Sequence, residues 1–130
     1  ITYLHLMYLG GRRPPDKSLT QNLAWRSPQF RGYADYMTTP TFKKSLKELM
    51  ALSQQQTTVI MCAEAVPWRC HRSLIGDALL AKGFQVEDIF SAILSKPHGL
   101  TPFAQIYRQQ VSYPRPIQGQ SKVIIQSGSY

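Results

Sequence analysis

A chain of 130 residues is long enough for one domain with a single hydrophobic core and too short for two ordinary domains. A hydrophobic content of 43% fits a globular protein, and every apolar run is far shorter than the roughly 20 residues of a membrane span, so we expect no membrane partner. Fifteen Lys and Arg against seven Asp and Glu give a formal net charge of +8, which favours phosphate-bearing partners.

The first third of the chain predicts a strand, a loop and a short helix. Ile1–Leu6 is rich in β-branched and aromatic residues and is followed by the turn pair Gly10-Gly11, which predicts a strand. Arg12–Arg31 contains three prolines without apolar periodicity, and loops of this length are usually either functional or mobile. Phe30–Met37 predicts one or two helical turns.

A longer helix is predicted from Thr39-Pro40 to about Ser53, because a capping hydroxyl followed by proline is a typical helix start. Apolar residues with helical spacing form one stripe on this helix: Phe42, Leu46, Leu49 and Met50.

The middle of the chain predicts two more strands around a helix. Thr57–Met61 is short, β-branched and almost continuously apolar, which indicates a strand buried on both faces of a parallel sheet. Ser73–Lys82 predicts a helix that ends at Gly83, the residue best suited to a left-handed cap. Phe84–Ile89 predicts a third strand.

The C-terminal part is less regular. Pro102–Arg108 allows a short helix, Tyr113–Gln120 is loop-like, and Val123–Ile125 is compatible with an edge strand or a docked terminus. We interpret residues 1–110 as one α/β domain and residues 111–130 as an extension. Alternating helices and short apolar strands predict an α/β layered fold with right-handed crossovers.

The loop between the predicted central strand and the next helix concentrates reactive residue types. Ligands of α/β sheets bind beyond the carboxyl ends of strands, which is where Cys62–Arg72 falls. N–H groups at the helix start, with Arg69 and Arg72, would bind an anion and lower the pKa of a thiol. His71 is a candidate proton carrier. This loop is therefore the predicted functional centre.

Each of these residues also has a structural interpretation. Cys62 and Cys70 could be small buried hydrophobic residues, and His71 could cap or pack at the helix start. Glu64 could form a salt bridge with a neighbouring arginine. A metal site is not expected, because seven residues separate the cysteines whereas structural zinc uses closely spaced ligand pairs. Two cysteines are also too few for a disulfide framework, and the N-terminal residues do not resemble a signal peptide, so we expect a cytoplasmic protein.

Four segments carry a family resemblance: Leu9–Arg13, Phe30–Met37, Met61–Ser73 and Ile75–Leu79. With them the chain resembles the domain-of-unknown-function family 488 over roughly residues 3–104. The resemblance implies a small Rossmann-like three-layer α/β domain with a mostly parallel sheet, and a site that gathers the first three segments. It does not imply a known reaction, and it leaves the cofactor unknown.

The resemblance is incomplete at the N-terminus. Family members usually begin with a strand ending in Gly-His-Ser, a helix and a strand with Asp-x-Arg, none of which is present here. We therefore expect a fragment or a shortened member that lacks about 50 residues, the size of a βαβ unit. An unpaired sheet edge would then favour a homodimer.

The leading hypothesis is a cysteine-dependent enzyme that acts on a phosphate-bearing substrate, a nucleotide or a nucleic acid. Cys62 is the preferred nucleophile, Cys70 a second reactive thiol, and His71 or Glu64 would move protons. The residues expected to bind the anion or stack on a base are Arg12, Arg13, Arg31, Tyr33, Trp68, Arg69 and Arg72. The alternative is a basic module that binds nucleic acid without chemistry, and a purely structural role is a third reading.

Overall fold

The computed structural model describes residues 2–10, 13–61 and 71–115. These residues form a short 3-10 helix, three α-helices and four β-strands. In chain order the elements are the 3-10 helix Met7–Leu9, α1 Pro28–Tyr36, α2 Pro40–Gln55, α3 Arg72–Ala81, β1 Glu87–Ser91, β2 Leu94–Pro97, β3 Gln105–Tyr107 and β4 Gln110–Ser112.

The starts of α1 and α2 follow from their capping residues. Ser27 precedes α1, and its hydroxyl accepts a hydrogen bond from the Phe30 N–H at 3.5 Å. Thr39 caps α2 in the same way, with the Phe42 N–H donating to its hydroxyl at 3.2 Å. Both helices have proline at the first position, where the missing N–H costs nothing. The predicted helix after Thr39 is confirmed.

The end of α3 has the left-handed cap that the sequence predicted. Gly83 has φ +86°, and its N–H donates to the Leu80 carbonyl at 2.9 Å. The Phe84 N–H donates to the Leu79 carbonyl at 3.0 Å, which completes a Schellman motif.

One hydrophobic core joins the helices to the 3-10 helix and to the chain after β4. The apolar stripe of α2 faces this core as predicted, and α3 contributes one apolar face. The buried members are Leu9, Tyr33, Ala34, Met37, Phe42, Leu46, Leu49, Leu74, Ile75, Ala78 and Tyr113.

The predicted Rossmann-like fold with a mostly parallel sheet is wrong. The strands of the described residues form two separate sheets of two antiparallel strands each. β1 pairs with β2 in a hairpin that matches Glu87 with Pro97, and β3 pairs with β4. Strands that are neighbours in sequence can pair through a tight turn, whereas parallel pairing needs a long crossover. In the described residues each strand therefore pairs with its neighbour in sequence, and no layered parallel sheet forms.

The predicted central strand is also wrong. Thr57–Met61 has no strand assignment, and Val59 and Met61 keep 61% and 78% of their surface exposed. The predicted first strand fails in the same way, because residues 2–6 have no regular secondary structure. A β-branched run forms a strand only where a neighbouring strand supplies the ladder hydrogen bonds, and the described residues supply none for either segment.

Two further predicted elements differ from those in the structure. The strand predicted at Phe84–Ile89 begins at Glu87 and is antiparallel. The short helix predicted at Pro102–Arg108 is wrong, because this stretch contains β3 and runs into a hairpin turn. Arg108 and Gln109 both have positive φ, 50° and 62°, as a two-residue type I′ turn requires.

Within the described residues no helix is long and apolar enough to cross a membrane. The predicted Val123–Ile125 segment and most of the Tyr113–Gln120 loop lie outside the described residues.

Candidate functional site

Two tyrosines of α1 attach this helix to the N-terminal part of the chain. The hydroxyl of Tyr33 donates to the Leu9 carbonyl, and the hydroxyl of Tyr36 donates to the Tyr8 carbonyl at 2.6 Å. Tyr33 is almost fully buried, with 1% of its surface exposed. Its phenol ring is therefore fixed in position and supports the side chains that pack on it.

Arg13 lies against α1 because Gly32 leaves room for its backbone. A Cβ at Gly32 would stand 1.7 Å from the Arg13 carbonyl oxygen, which no side chain could tolerate. The Arg13 guanidinium stacks on the Tyr36 ring, with 4.0 Å between Cζ and the ring centroid. One terminal nitrogen donates to the Gly10 carbonyl at 3.3 Å, while the buried Nε has no hydrogen-bond partner among the described residues.

His71 precedes α3 and packs on the other tyrosine of α1. Its imidazole centroid lies 5.0 Å from that of the Tyr33 ring, at an interplanar angle of 43°. The side chain does not cap the helix, so of the two structural interpretations only packing applies. Burial is the main cause that lowers the pKa of His71, and the charge of Arg72 lowers it further. The imidazole is therefore neutral at pH 7.

These contacts form a continuous row of four side chains, Arg13, Tyr36, Tyr33 and His71, which we call the Arg13–His71 row. Between its ends the rings of Tyr36 and Tyr33 lie 6.0 Å apart. The row places a guanidinium at one end and a neutral imidazole at the other, next to the N-terminus of α3. The row therefore joins a guanidinium to a neutral imidazole through two tyrosine rings, of which Tyr33 is buried.

The loop that carries Arg13 is held by two buried polar residues, Asn22 of the loop and Asp35 of α1. Asp35 of α1 accepts hydrogen bonds from the Asn22 amide at 2.9 Å and from the Asp16 N–H at 3.0 Å. The Asn22 carbonyl oxygen in turn accepts from the Tyr113 N–H at 3.1 Å. Because Asn22 and Asp35 are buried, their hydrogen bonds determine the path of the loop.

Of the eleven residues predicted for the site, the described part of the chain brings Arg13, Tyr33 and His71 into one row, with Arg72 beside His71. Arg31 is half-buried on α1, two positions from Tyr33, and residues two apart do not share a helix face. The remaining predicted residues lie outside the described ranges: Arg12, Cys62, Glu64, Trp68, Arg69 and Cys70.

Sequence reasoning missed Tyr36 and a second polar cluster around Asp77. Tyr36 belongs to a segment with family resemblance but has no chemical pattern of its own. Asp77 did carry a signal, since it is an acid between the apolar positions Leu74, Ile75 and Ala78 of α3. No group of three or more His, Cys, Asp and Glu side chains within the described ranges is arranged to hold a metal ion.

Comparison with protein families finds one match. Residues 1–79 match the model of a family described as Domain of unknown function DUF488. This range includes α1, α2, most of α3 and the whole Arg13–His71 row. Comparison with curated proteins and with solved structures finds no match.

Proposed function

Since the chain belongs to the DUF488 family, whose description leaves its function open, we propose from the chemistry of the Arg13–His71 row that the protein is a cysteine-dependent enzyme. Its substrate carries phosphate and is a nucleotide or a nucleic acid. Cys62 is the nucleophile, and we assign the site to the Cys62–Ser73 loop together with the Arg13–His71 row.

One observation carries this proposal: the imidazole of His71 is half-buried on Tyr33 and its pKa is lowered. A general base must be unprotonated before it can accept a proton, and a neutral imidazole next to Cys70 in sequence meets this condition. In the proposed step the Cys62 thiol gives its proton to the His71 imidazole. This leaves a thiolate at Cys62, which is the reactive form of cysteine.

The cations around the row support a phosphate-bearing substrate. The guanidinium of Arg13 is held on one face by Tyr36, and its Nε has no partner within the described residues. Arg72 occupies the first turn of α3, where the helix dipole also favours an anion. Guanidinium groups and a helix N-terminus suit the charge and the oxygen geometry of phosphate groups.

The test uses the fact that the chain has only two cysteines. Cys70→Ser leaves Cys62 as a single thiol, whose alkylation rate by iodoacetamide is measured against pH. We expect Cys62 to react about tenfold faster at neutral pH than an unstructured peptide thiol, because its thiolate fraction is raised. His71→Gln should remove most of this gain.

Inorganic phosphate is the second probe. It should slow the alkylation of Cys62, and Arg72→Ala should remove this protection, whereas Lys47→Ala on the exposed side of α2 should preserve it. A Cys62 thiol that reacts no faster than the peptide would overturn the enzymatic proposal. Nucleic-acid binding that survives Cys62→Ser, weakens steeply with salt and is lost in Arg72→Ala would establish the alternative, a binding module without chemistry.

A further inference from the structure

Asp77 is a fully buried carboxylate on the apolar face of α3. Its two oxygens accept four hydrogen bonds, all from residues that follow α3. The donors are His98 Nε2 at 2.9 Å, the Thr101 N–H at 3.2 Å, the Thr101 hydroxyl at 2.6 Å and the Tyr113 hydroxyl at 2.8 Å. A buried carboxylate is tolerated only with such partners, so these bonds determine where the chain from His98 to Tyr113 attaches to α3.

His98 is held between two carboxylates. Its Nδ1 lies 3.1 Å from both oxygens of Asp88 on β1, while Nε2 faces Asp77, and only 5% of its side chain is exposed. Ionised carboxylate oxygens only accept hydrogen bonds, so both ring nitrogens must donate, and only the imidazolium can do this. Gly76 provides the space, because a Cβ there would stand 2.8 Å from Nε2.

The charged groups that face His98 favour its protonated form. Among the described residues these groups are Asp77 from α3 and Asp88 from β1. The hydrogen bond to Asp77 is the largest cause that raises the pKa of His98; burial opposes it, and Asp88 raises the pKa further. From the chain after β4, Tyr113 reaches Asp77 with a hydroxyl whose pKa is raised by burial, so it stays neutral.

We propose that protonated His98 is a clasp that holds residues 87–113 on α3, and that loss of its proton releases this segment. A neutral imidazole can donate through only one nitrogen, so deprotonation leaves one of the two carboxylates without its donor. The clasp joins the part of the chain that matches the family to the part beyond residue 79. It is independent of the proposed enzymatic function, because it involves neither cysteine nor the Arg13–His71 row.

The segment that the clasp holds contains both hairpins and covers Trp25. The Trp25 ring packs on Phe103 and Tyr113, with centroid distances of 4.8 and 5.2 Å. Release would therefore separate these rings and expose the Thr101 N–H, and it would draw the Tyr113 N–H away from its acceptors, Asn22 Oδ1 and the Gln21 carbonyl. No residue of α2 takes part in the hydrogen bonds of the clasp.

The experiment measures the His98 pKa by NMR and the amide hydrogen exchange of the full chain against pH, corrected for intrinsic exchange rates. We expect His98 to titrate above 6.5, the usual imidazole value. Between pH 6.5 and the measured pKa, the opening constant at Thr101 and Tyr113 should rise about tenfold per pH unit, as one-proton linkage requires. Amides of α2 should show no such slope.

Two variants and a control make the result decisive. His98→Gln should remove the pH slope at Thr101 and Tyr113, and His5→Gln, which changes an exposed histidine, should retain it. Asp88→Asn, at a partly exposed position, should lower the His98 pKa even if the other variant folds poorly. A wild-type His98 pKa at or below 6.5, exchange at these amides without a pH slope, or an unchanged pKa in Asp88→Asn would overturn the proposal.

Discussion

Gly32 shows how the position of the site depends on one absent side chain. α1 and the loop at Arg13-Pro14 approach so closely that a Cβ would lie 1.7 Å from one backbone atom and 2.7 Å from another. Because these atoms are backbone, they cannot move aside as a flexible side chain could. The same approach allows Arg13 to stack on Tyr36, so the guanidinium of the row is positioned by a glycine on the adjacent helix.

Gly32→Ala should therefore destabilise the protein by about 3 kcal/mol, the upper part of the range for overpacked interiors. Urea unfolding followed by circular dichroism measures the change. Gly99→Ala is the matched control, since nothing lies within 4 Å of a Cβ at that position, and we expect it to change the unfolding free energy by less than about 0.5 kcal/mol. Equal stability of the two variants would contradict the close approach at Gly32.

At the scale of elements, α2 is the helix whose start is most clearly specified. Thr39 accepts the Phe42 N–H at 3.2 Å, and its hydroxyl donates to the Tyr36 carbonyl at 2.7 Å. One side chain therefore ends α1 and begins α2. Because Phe42 is buried against Tyr33 and Tyr36, this junction also sets the position of the tyrosines of the row.

Thr39→Ala should lower the unfolding free energy by about 1 kcal/mol, the usual cost of a lost helix cap. Thr41→Ala, two positions later on the exposed side of α2, removes the same hydroxyl without a capping role and should cost less than about 0.5 kcal/mol. Thermal or urea unfolding of both variants distinguishes them. A cost for Thr41→Ala as large as that for Thr39→Ala would argue against the cap.

For the whole molecule, the unfolding free energy depends on pH through two histidines, and their effects have opposite signs. The folded state lowers the pKa of His71 by burial and raises that of His98 by its carboxylate partners. For His71 the unfolded chain binds more protons just below pH 6.5, so stability rises with pH there. For His98 the folded chain binds more protons above pH 6.5, so stability falls as pH rises through the folded pKa.

The unfolding free energy should therefore have its maximum close to pH 6.5 in this region. Urea unfolding across this range, at constant ionic strength, measures the profile. His71→Gln should reduce the pH slope of the unfolding free energy below pH 6.5, and His98→Gln should reduce the slope above pH 6.5. These changes in slope are expected even if a variant also changes the absolute stability. Slopes that stay unchanged in both variants would refute these assignments.

The sequence by itself determined the start of α2 and the end of α3. Hydroxyl caps, prolines and Gly83 act within a few residues, so Thr39 and Gly83 specify their helix ends wherever the rest of the chain lies. The apolar stripe of α2 is equally local. These predictions are confirmed because the interactions that they describe need no distant partner.

The tertiary structure decided the strands and the polar clusters. Thr57–Met61 has strand propensity, but a ladder needs a second strand, and propensity cannot supply it. The partners of Asp77 and Arg13 are likewise distant in sequence: His98 follows its carboxylate by 21 positions, and Tyr36 follows Arg13 by more than 20. Only packing brings such groups into contact, and so only the fold could reveal the Arg13–His71 row and the clasp.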